Sequence, residues 1–185
     1  LRLRTSLWNP DAVRAVAECD VLVGCVDTVD GRYLLNTIAT YYLLPYFDVG
    51  VRLLATPQGG IREVCGTVHY LQPGRSSLLS RGLFSLADVA AAGLRRTEPS
   101  AHARNMEEGY IRGAGGHRPA VVSINMLAAA LTVHELLARL HPYREEANVH
   151  HATVTFSLAS MELISESEQG ACGVLARGLG LGDTE

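Results

Sequence analysis

Residues 20–36 read DVLVGCVDTVDGRYLLN, in which a run of small and β-branched apolar residues stops at Asp27. No polar residue alternates within DVLVGCV, so the run predicts a strand buried on both faces, which is typical of a parallel sheet. The residues that follow, DGRYLLNTIATYYLL, predict a helix that ends near Pro45. A strand, a helix and a second strand form a βαβ unit with a right-handed crossover. The sequence therefore predicts an α/β fold.

Segments on either side of this unit extend the sheet. NPDAVRAVAE, just before it, predicts a short helix with proline at its first position. YFDVGVRLLAT and IREVCGTVHYLQ, just after it, predict two strands, and HHATVTFSLAS and MELISE predict two closing strands. We expect a Rossmann-like parallel portion that continues into a mixed or antiparallel extension.

The segment between the third strand and the closing strands is less regular. Residues 73–118 are rich in Gly, Ser, Pro and Arg, with a short helix predicted around SLADVAAAGLRR and a mobile loop near TEPSAHARN. PAVVSINMLAAALTVHELLARL predicts a long helix that is apolar nearly all round at its start, so we expect it to be central. The glycine-rich tail, residues 166–185, is expected to be irregular.

Composition excludes several classes of protein. With 185 residues, 48% of them hydrophobic, one domain is the default. The net charge of −3 gives no basic stripe, so nucleic acid is not an expected partner. The longest apolar stretch is too short to span a membrane, and no secretory signal is recognisable. The four cysteines have no metal-like or disulfide-framework spacing, which suits a reducing compartment, and we expect a cytoplasmic protein.

Asp27 stands where the apolar strand stops. Ligands of open parallel sheets bind beyond the carboxyl ends of the strands, and a carboxylate there can hold a Mg²⁺ that bridges phosphate oxygens. The alternative is that Asp27 or Thr28 only caps the next helix. Asp30 is the better candidate for a plain cap or a partner of the helix dipole. Arg32, one turn into the helix, could pair with either aspartate or reach a phosphate.

An ordered set of residues resembles a known family. DVLVGCVDTVDGRYLLN, LPYFDVGVRL, GTVHYLQPG and PAVVSINMLAAALTVHELL together closely resemble the second half of the ThiF/MoeB/HesA family, the ubiquitin-activating-enzyme-like adenylyltransferases. The matching residues, in order, are Cys25, Asp27, Arg32, Asn36, Gly50, Val51, Gly66, Val68, Pro73 and Gly74. The resemblance implies that residues 1–165 are the carboxyl-terminal part of a ThiF-type adenylation domain, with a crossover loop at about 73–118 and a separate tail at 166–185.

The resemblance also implies a function. Members of the family use ATP and Mg²⁺ to adenylate the carboxyl terminus of a ubiquitin-like or sulfur-carrier protein. The residue matching Asp27 lies beside the ATP phosphates and their Mg²⁺, so Asp27 is the candidate catalytic and metal-binding residue. Thr28, Arg32 and Asn36 are the other candidate contacts of the nucleotide. The family's dimers pack through this half, and we expect a homodimer.

The chain departs from the family in its first half. The glycine-rich phosphate loop, the acidic residue for the ribose and the Arg and Lys that contact ATP have no counterpart in this sequence. The only nearby glycine cluster, GAGG at residues 113–116, follows no apolar strand. The chain therefore matches the carboxyl-terminal half alone, lacking the amino-terminal nucleotide-loop half, and we expect this fragment by itself to be inactive.

Cysteine usage separates the chain further from the family. Many relatives hold a structural zinc with two Cys-x-x-Cys pairs, but Ser77, Ser80 and Leu175 stand at three of the four positions and only Cys172 remains. We therefore expect no zinc site. Some relatives transfer the activated tail to a cysteine, yet residues 73–148 contain none. Cys25 and Cys65 fall within predicted strands and are expected in the core.

Two other functions remain open. The first is a non-catalytic partner subunit of an activating enzyme, which would support dimerisation or tail binding. The second is a dinucleotide oxidoreductase, which the missing glycine fingerprint disfavours. In the adenylyltransferase interpretation, Arg52 and Arg62 are candidate contacts of the incoming tail, and HARNMEEGYIRGAGGHR resembles a mobile segment that covers it.

Overall fold

A five-stranded mixed sheet organises the computed structural model, which describes residues 5–56, 58–107 and 121–183. The helices of these described residues are α1 Pro10–Ala17, α2 Val29–Tyr41, α3 Leu86–Thr97, α4 Pro99–Glu107 and α5 Val122–Leu140. Their strands are β1 Leu22–Gly24, β2 Tyr46–Ala55, β3 Ile61–Leu71, β4 Thr153–Ser157 and β5 Glu162–Glu166. Single 3₁₀ turns occur at Asn148–His151 and Leu175–Gly178.

The strands lie in the order in which they occur in the chain, β1-β2-β3-β4-β5. β1 and β2 are parallel, and the other neighbouring pairs are antiparallel. The parallel pair is short, because it joins only Leu22↔Tyr46 to Gly24↔Asp48. The predicted α/β fold, a parallel portion extended by antiparallel strands, is confirmed.

α2 and α5 cover opposite faces of β2. Tyr46 packs with Leu35 and Ala39 of α2 in one buried cluster. Val49 packs with Ala128 of α5 in a second cluster. Because successive side chains of a strand point to opposite faces, Tyr46 and Val49 belong to different faces of the sheet. The parallel pair and the long antiparallel strands therefore share a sheet that has one helix on each side.

The start of α2 follows directly from its sequence. Thr28 has extended backbone angles, and its side chain accepts a hydrogen bond from the Gly31 N–H at 3.3 Å. This bond satisfies one of the free amides of the first turn. α2 ends before Leu43, which has a φ of 58°. Pro45 then leads into β2, as the sequence predicts.

Three predictions about local structure are wrong in the described residues. The segment predicted as a mobile loop contains the helix α4, which has Pro99 at its first position, where a missing N–H costs no hydrogen bond. β1 is not buried on both faces, because Val23 is 48% exposed. Cys25 lies past the end of β1 and is exposed, whereas a core position was expected.

The long helix α5 is less central than expected. Its buried residues form one stripe along the helix, namely Ile124, Ala128, Thr132, Glu135 and Ala138. Met126 is 67% exposed, although it lies in the most apolar part of the sequence. No helix among the described residues is long and apolar enough to cross a membrane.

Candidate functional site

A groove of about 930 Å³ lies between the carboxyl end of β1, the middle of β2 and α5. Its walls are mainly apolar, formed by Val23, Val26, Phe47, Val49, Val51, Leu53, Ala128, Ala129, Val133 and Leu136. Its polar lining comes from Cys25, Asp27, Arg32, Asn125 and Thr132. Apolar walls with a few converging polar groups are typical of ligand sites.

Asp27 lines this groove at the place predicted from the sequence. It follows β1 by three residues and is exposed. No hydrogen bond or ion pair joins its carboxylate to the described residues, so both oxygens are available to a ligand. The position of Asp27 therefore fits the predicted role, which itself remains a prediction.

Thr28 and Asp30 hold the start of α2. Thr28 is the N-cap residue, whereas Asp30, the cap that the sequence favoured, lies in the first turn of α2, and Asp27 is left free. Asp30 is buried, accepts from the Gly31 N–H at 3.0 Å, and accepts from Arg96 Nε of α3 at 2.8 Å. Burial acts to raise the pKa of Asp30, but the bonds from Arg96, Thr28 and Gly31 outweigh it and leave the pKa below its ordinary value. Asp30 therefore ties α2 to α3.

Arg32 pairs with an aspartate that the sequence analysis did not consider. Its Nε donates to both carboxylate oxygens of Asp48, at 3.0 and 3.1 Å, and its Nη2 donates to Oδ2. Asp48 is completely buried and also accepts from the Tyr46 hydroxyl at 2.7 Å. Burial acts to lower the pKa of Arg32, but the bonds to Asp48 and its charge raise it overall. Arg32 therefore stays cationic, and Asp48 neutralises its charge.

Asp48 could have been found from the sequence. It interrupts the apolar residues of YFDVGVRLL, a strand that the pattern places in the sheet. A carboxylate buried in such a strand requires a cation with hydrogen-bond donors. Arg32 in the preceding helix is one such cation, but only the folded sheet shows that Arg32 is the arginine that reaches Asp48.

Asn36 also contacts protein. It is buried in α2, and its Oδ1 accepts from the Leu78 N–H at 2.9 Å. This bond holds the turn that follows β3 against α2. The predicted contact of Asn36 with the nucleotide has no test here and remains a prediction.

The two arginines expected near the incoming tail lie where β2 ends and β3 begins. Arg52 pairs with Glu63 at 3.2 Å, and both side chains are substantially exposed. Arg62 is exposed. The segment HARNMEEGYIRGAGGHR lies largely outside the described residues, so its expected covering role stays a prediction.

The residues that the sequence resemblance aligned with zinc ligands come together in space. Ser80 N–H donates to Ser77 Oγ at 3.0 Å, and Ser77 N–H donates to Ser80 Oγ at 2.8 Å. Burial acts to raise the pKa of the Cys172 thiol, but hydrogen bonds from Leu175, Ser77, Val174 and Ser80 lower it overall. Hydrogen bonds among these residues connect the tail to the turn after β3.

The donors at the groove fit a cation held mainly by phosphate. The described residues contain no group of three or more His, Cys, Asp and Glu side chains that could hold a metal by themselves. Asp27 offers one free carboxylate at the groove. Mg²⁺ is commonly bound by one or two carboxylates together with substrate phosphates and water, so one carboxylate is compatible with a Mg²⁺–nucleotide complex.

No protein-family model and no curated protein matches this sequence. Several solved structures of E. coli MccB do match the fold. MccB with succinimide gives a TM-score of 0.56 at 13% identity, covering 94% of this chain and 44% of MccB. MccB with ATP gives 0.53 at 14% identity, covering 93% and 43%. MccB with AMPCPP and MccA gives 0.56 at 14% identity, again covering 93% and 43%.

At these identities the likeness establishes the fold. The chain spans less than half the length of the MccB structures that it matches. The activity and partners of the whole protein therefore belong to the proposal below.

Proposed function

We propose that this chain is part of an ATP-dependent adenylyltransferase that activates the carboxyl terminus of a peptide or small protein. The observation that carries the proposal is the unpaired carboxylate of Asp27, which lies in an apolar groove beyond the carboxyl end of a parallel strand. The resemblance of residues 10 to about 165 to the ThiF family supports this assignment. The fold likeness to MccB, which has been solved with ATP and with AMPCPP and MccA, is consistent with it.

The proposed reaction joins two anions. A carboxylate oxygen of the tail bonds to the α-phosphorus of ATP, the bond from that phosphorus to the bridging oxygen breaks, and pyrophosphate leaves. Mg²⁺ bound to the triphosphate would neutralise part of the negative charge that develops. Asp27 would hold this ion at the groove.

The remaining residues of the site position Asp27. Thr28 caps α2, which fixes the turn that carries Asp27 to the start of that helix. Asp30 binds Arg96, which fixes the same end of α2 to α3. The ion pair of Arg32 with Asp48 fixes α2 against β2. We propose that Thr28, Arg32 and Asn36 keep the nucleotide site in shape, and that any direct contact they make with ATP is secondary.

The substrate class follows from the resemblance and from the groove. A ubiquitin-like or sulfur-carrier protein is the partner that the family implies, and the MccB structure with MccA makes a peptide a reasonable alternative. We propose that the protein works as a homodimer, since the outer face of α5 carries exposed apolar residues. Its expected cytoplasmic location remains a prediction.

Pyrophosphate exchange tests the proposed activity. The complete gene product is incubated with ATP, labelled pyrophosphate and candidate proteins that have a carboxyl-terminal Gly-Gly. We expect Asp27→Ala to lower the exchange rate at least about a hundredfold, the scale of one removed electrostatic contact in a transition state. The matched control is Asp20→Ala, which removes another exposed carboxylate, just before the opposite end of β1.

The two variants separate the outcomes. Exchange that survives Asp27→Ala would contradict the role of Asp27. Tail binding without any exchange in the complete protein would favour the alternative, a non-catalytic partner subunit that supports dimerisation or tail binding.

A further inference from the structure

β2 is much longer than the parallel strand beside it. β1 pairs with β2 only from Leu22↔Tyr46 to Gly24↔Asp48. β2 continues to Ala55, and beyond Asp48 its strand partner within the described residues is β3 alone. Within the described residues, one edge of β2 therefore has no strand against it over residues 49–55.

The backbone groups that face this open edge can be assigned. Leu22 N–H donates to the Pro45 carbonyl at 2.9 Å, so the backbone groups of residue 45 point towards β1. These directions alternate along a strand, and the N–H and C=O of Val51 and Leu53 therefore point to the same side as those of residue 45. On β3, the Val64 carbonyl accepts from Leu158 N–H, so the backbone groups of Val64 point away from β2. Leu53 is the register partner of Val64, and its backbone groups therefore point away from β3, towards the open edge.

The groove lies against this open edge. Val49, Val51 and Leu53 line it from β2, and Ala129 and Val133 line it from α5. The five residues 49–53 span about 13 Å at the rise of a strand. This wall therefore offers backbone hydrogen bonds beside apolar side chains.

The part of the groove along β2 favours an occupant with uncharged side chains. Arg32 is neutralised by Asp48, which leaves Asp27 as the charged groove residue without a partner among the described residues. Small and apolar side chains of the groove would exclude charged side chains from its interior. An extended peptide with small or apolar residues meets both requirements, because its backbone pairs with the edge.

We propose that the carboxyl-terminal tail of the substrate adds to this edge of β2 as an antiparallel strand along residues 49–53. The inference rests on the proposed function and deepens it, since it names how the tail is held. The tail's last carboxylate must reach Asp27, which follows β1 and lies at the Val49 end. The tail then runs from Leu53 towards Val49, opposite to β2, and Val51 forms two hydrogen bonds with one tail residue.

Backbone methylation of a peptide tests the pairing. The probe is a short synthetic peptide of alternating valine and glycine with a free carboxylate and an amino-terminal fluorophore, and its binding is measured by anisotropy without ATP. The peptide is N-methylated at one residue at a time. At alternate residues, each single methylation is expected to weaken binding about tenfold, because it removes one hydrogen bond between the peptide N–H and the edge of β2. Methylation at the residues between them is expected to have little effect. Equal sensitivity at all positions, or no binding of the unmethylated probe, overturns the proposal.

A substitution on β2 tests the same bond from the protein side. Val51→Pro removes the N–H that faces the open edge and leaves the hydrogen bonds to β3, as proline does on edge strands. Val51→Ala is the control, since it shortens the side chain but keeps the N–H. Binding is expected to fall about tenfold for the proline variant relative to the alanine variant. Equal binding of the two variants overturns the pairing, and the methylation pattern decides the matter if Val51→Pro does not fold.

The direction of the tail is tested through Asp27. Without metal, Asp27→Asn removes a like charge near the tail carboxylate, so the affinity for the free acid is expected to rise about threefold. The affinity for the same peptide ending in a carboxamide is expected to stay the same. Equal effects on both peptides, or none on either, overturn the proposed direction.

Failure of this inference differs from failure of the proposed function. The binding measurements use no ATP. If methylation weakens binding at alternate residues but no pyrophosphate exchange occurs, only the proposed adenylation is contradicted. Exchange without such a pattern would remove only the strand pairing.

Discussion

Asp27 and Asp48 are aspartates in opposite environments, and their substitution should affect the stability of the protein to very different extents. Asp48 is completely buried and holds Arg32 and Tyr46, whereas Asp27 is exposed and unpaired among the described residues. Asp48→Asn leaves the Arg32 cation without its counter-charge, so the free energy of unfolding should fall by about 3 kcal/mol. Asp27→Asn should change it by less than about 0.5 kcal/mol. Urea unfolding of both variants measures the difference, and equal losses would contradict the ion pair.

Metal content is a second prediction at the scale of single residues. Structural zinc is bound by thiolates and imidazoles, but Ser77 and Ser80 offer hydroxyls, and each hydroxyl already accepts a hydrogen bond from the backbone N–H of the other serine. We expect purified protein to carry far less than one zinc per chain when measured by mass spectrometry of the metal. One tightly held zinc per chain, which survives chelation, would show that the alignment of Ser77 and Ser80 with zinc ligands is wrong.

Sequence reasoning at this scale was successful where a residue's surroundings are set by its own strand or helix. Asp27 was placed in the groove because the strand before it ends there, and Thr28 was considered as a cap because a helix follows. It failed for Arg32, whose partner Asp48 is distant in sequence and is brought near only by the β1–β2 pairing. Such contacts depend on register, which one sequence does not specify before the sheet is known.

At the scale of elements, the contact between β3 and β4 depends on a glycine. A Cβ at Gly66 would lie 2.5 Å from the ring of Phe156, its register partner on β4. Gly66→Ala should therefore lower the free energy of unfolding by about 1–3 kcal/mol, the usual cost of overpacking. Gly93→Ala is the control, because Gly93 lies within α3 and a Cβ there meets nothing within 4 Å.

The control is expected to move in the other direction. Alanine is a better helix former than glycine, so Gly93→Ala should raise the stability by up to about 1 kcal/mol. Thermal or urea unfolding measures both variants. A Gly66→Ala variant as stable as the parent would show that Phe156 can move away without cost.

The same pair of strands should make stability depend on pH. His69 of β3 is buried, with its Nδ1 3.2 Å from Thr153 Oγ1 of β4. Burial lowers the pKa of His69 to about 4 from an ordinary 6.5, with Asp48 opposing the shift and Arg81 and Arg32 adding to it. Between pH 6.5 and about 4, His69 therefore binds a proton in the unfolded chain but stays neutral in the folded chain.

The sign of the effect follows from this difference. The stabilisation is fully present above pH 6.5 and is lost as the pH falls from 6.5 towards about 4. The loss in the free energy of unfolding approaches about 3 kcal/mol. His69→Gln should remove most of this dependence of stability on pH. Urea midpoints across this pH range measure both proteins. Parallel curves would contradict a buried, neutral His69.

Elements were predicted well where pattern and propensity agree. The strands β2 and β3 lie within the segments that the sequence assigned to them, and the helices α2 and α3 each extend one residue beyond theirs. The prediction failed for α4, because Pro99 was read as a loop former although it also starts helices. It also failed for β1, because an apolar run does not reveal whether both of its faces will be covered, and Val23 is exposed at the groove.

At the scale of the whole molecule, the exposed side of α5 requires an explanation. Val122, Met126, Leu137 and Leu140 are all exposed, and at 100° per residue they fall within an arc of about 60°, opposite the buried stripe of the helix. A helix that is apolar on both sides is usually covered on both sides. The sequence revealed the apolar composition of α5, but only the fold shows which stripe the sheet leaves open.

A second copy of the chain is the partner that we propose for this stripe, and sedimentation velocity of the complete gene product tests it. Met126→Glu places a charge in the middle of the stripe, so it should weaken the dimer at least about tenfold, because burying an unpaired carboxylate is costly. His134→Glu is the control, since His134 is exposed on the same helix but lies outside the arc. Its dimer should dissociate like that of the parent. A parent protein that sediments as a monomer at all concentrations, or a dimer equally resistant to both substitutions, would show that the α5 stripe does not join two copies.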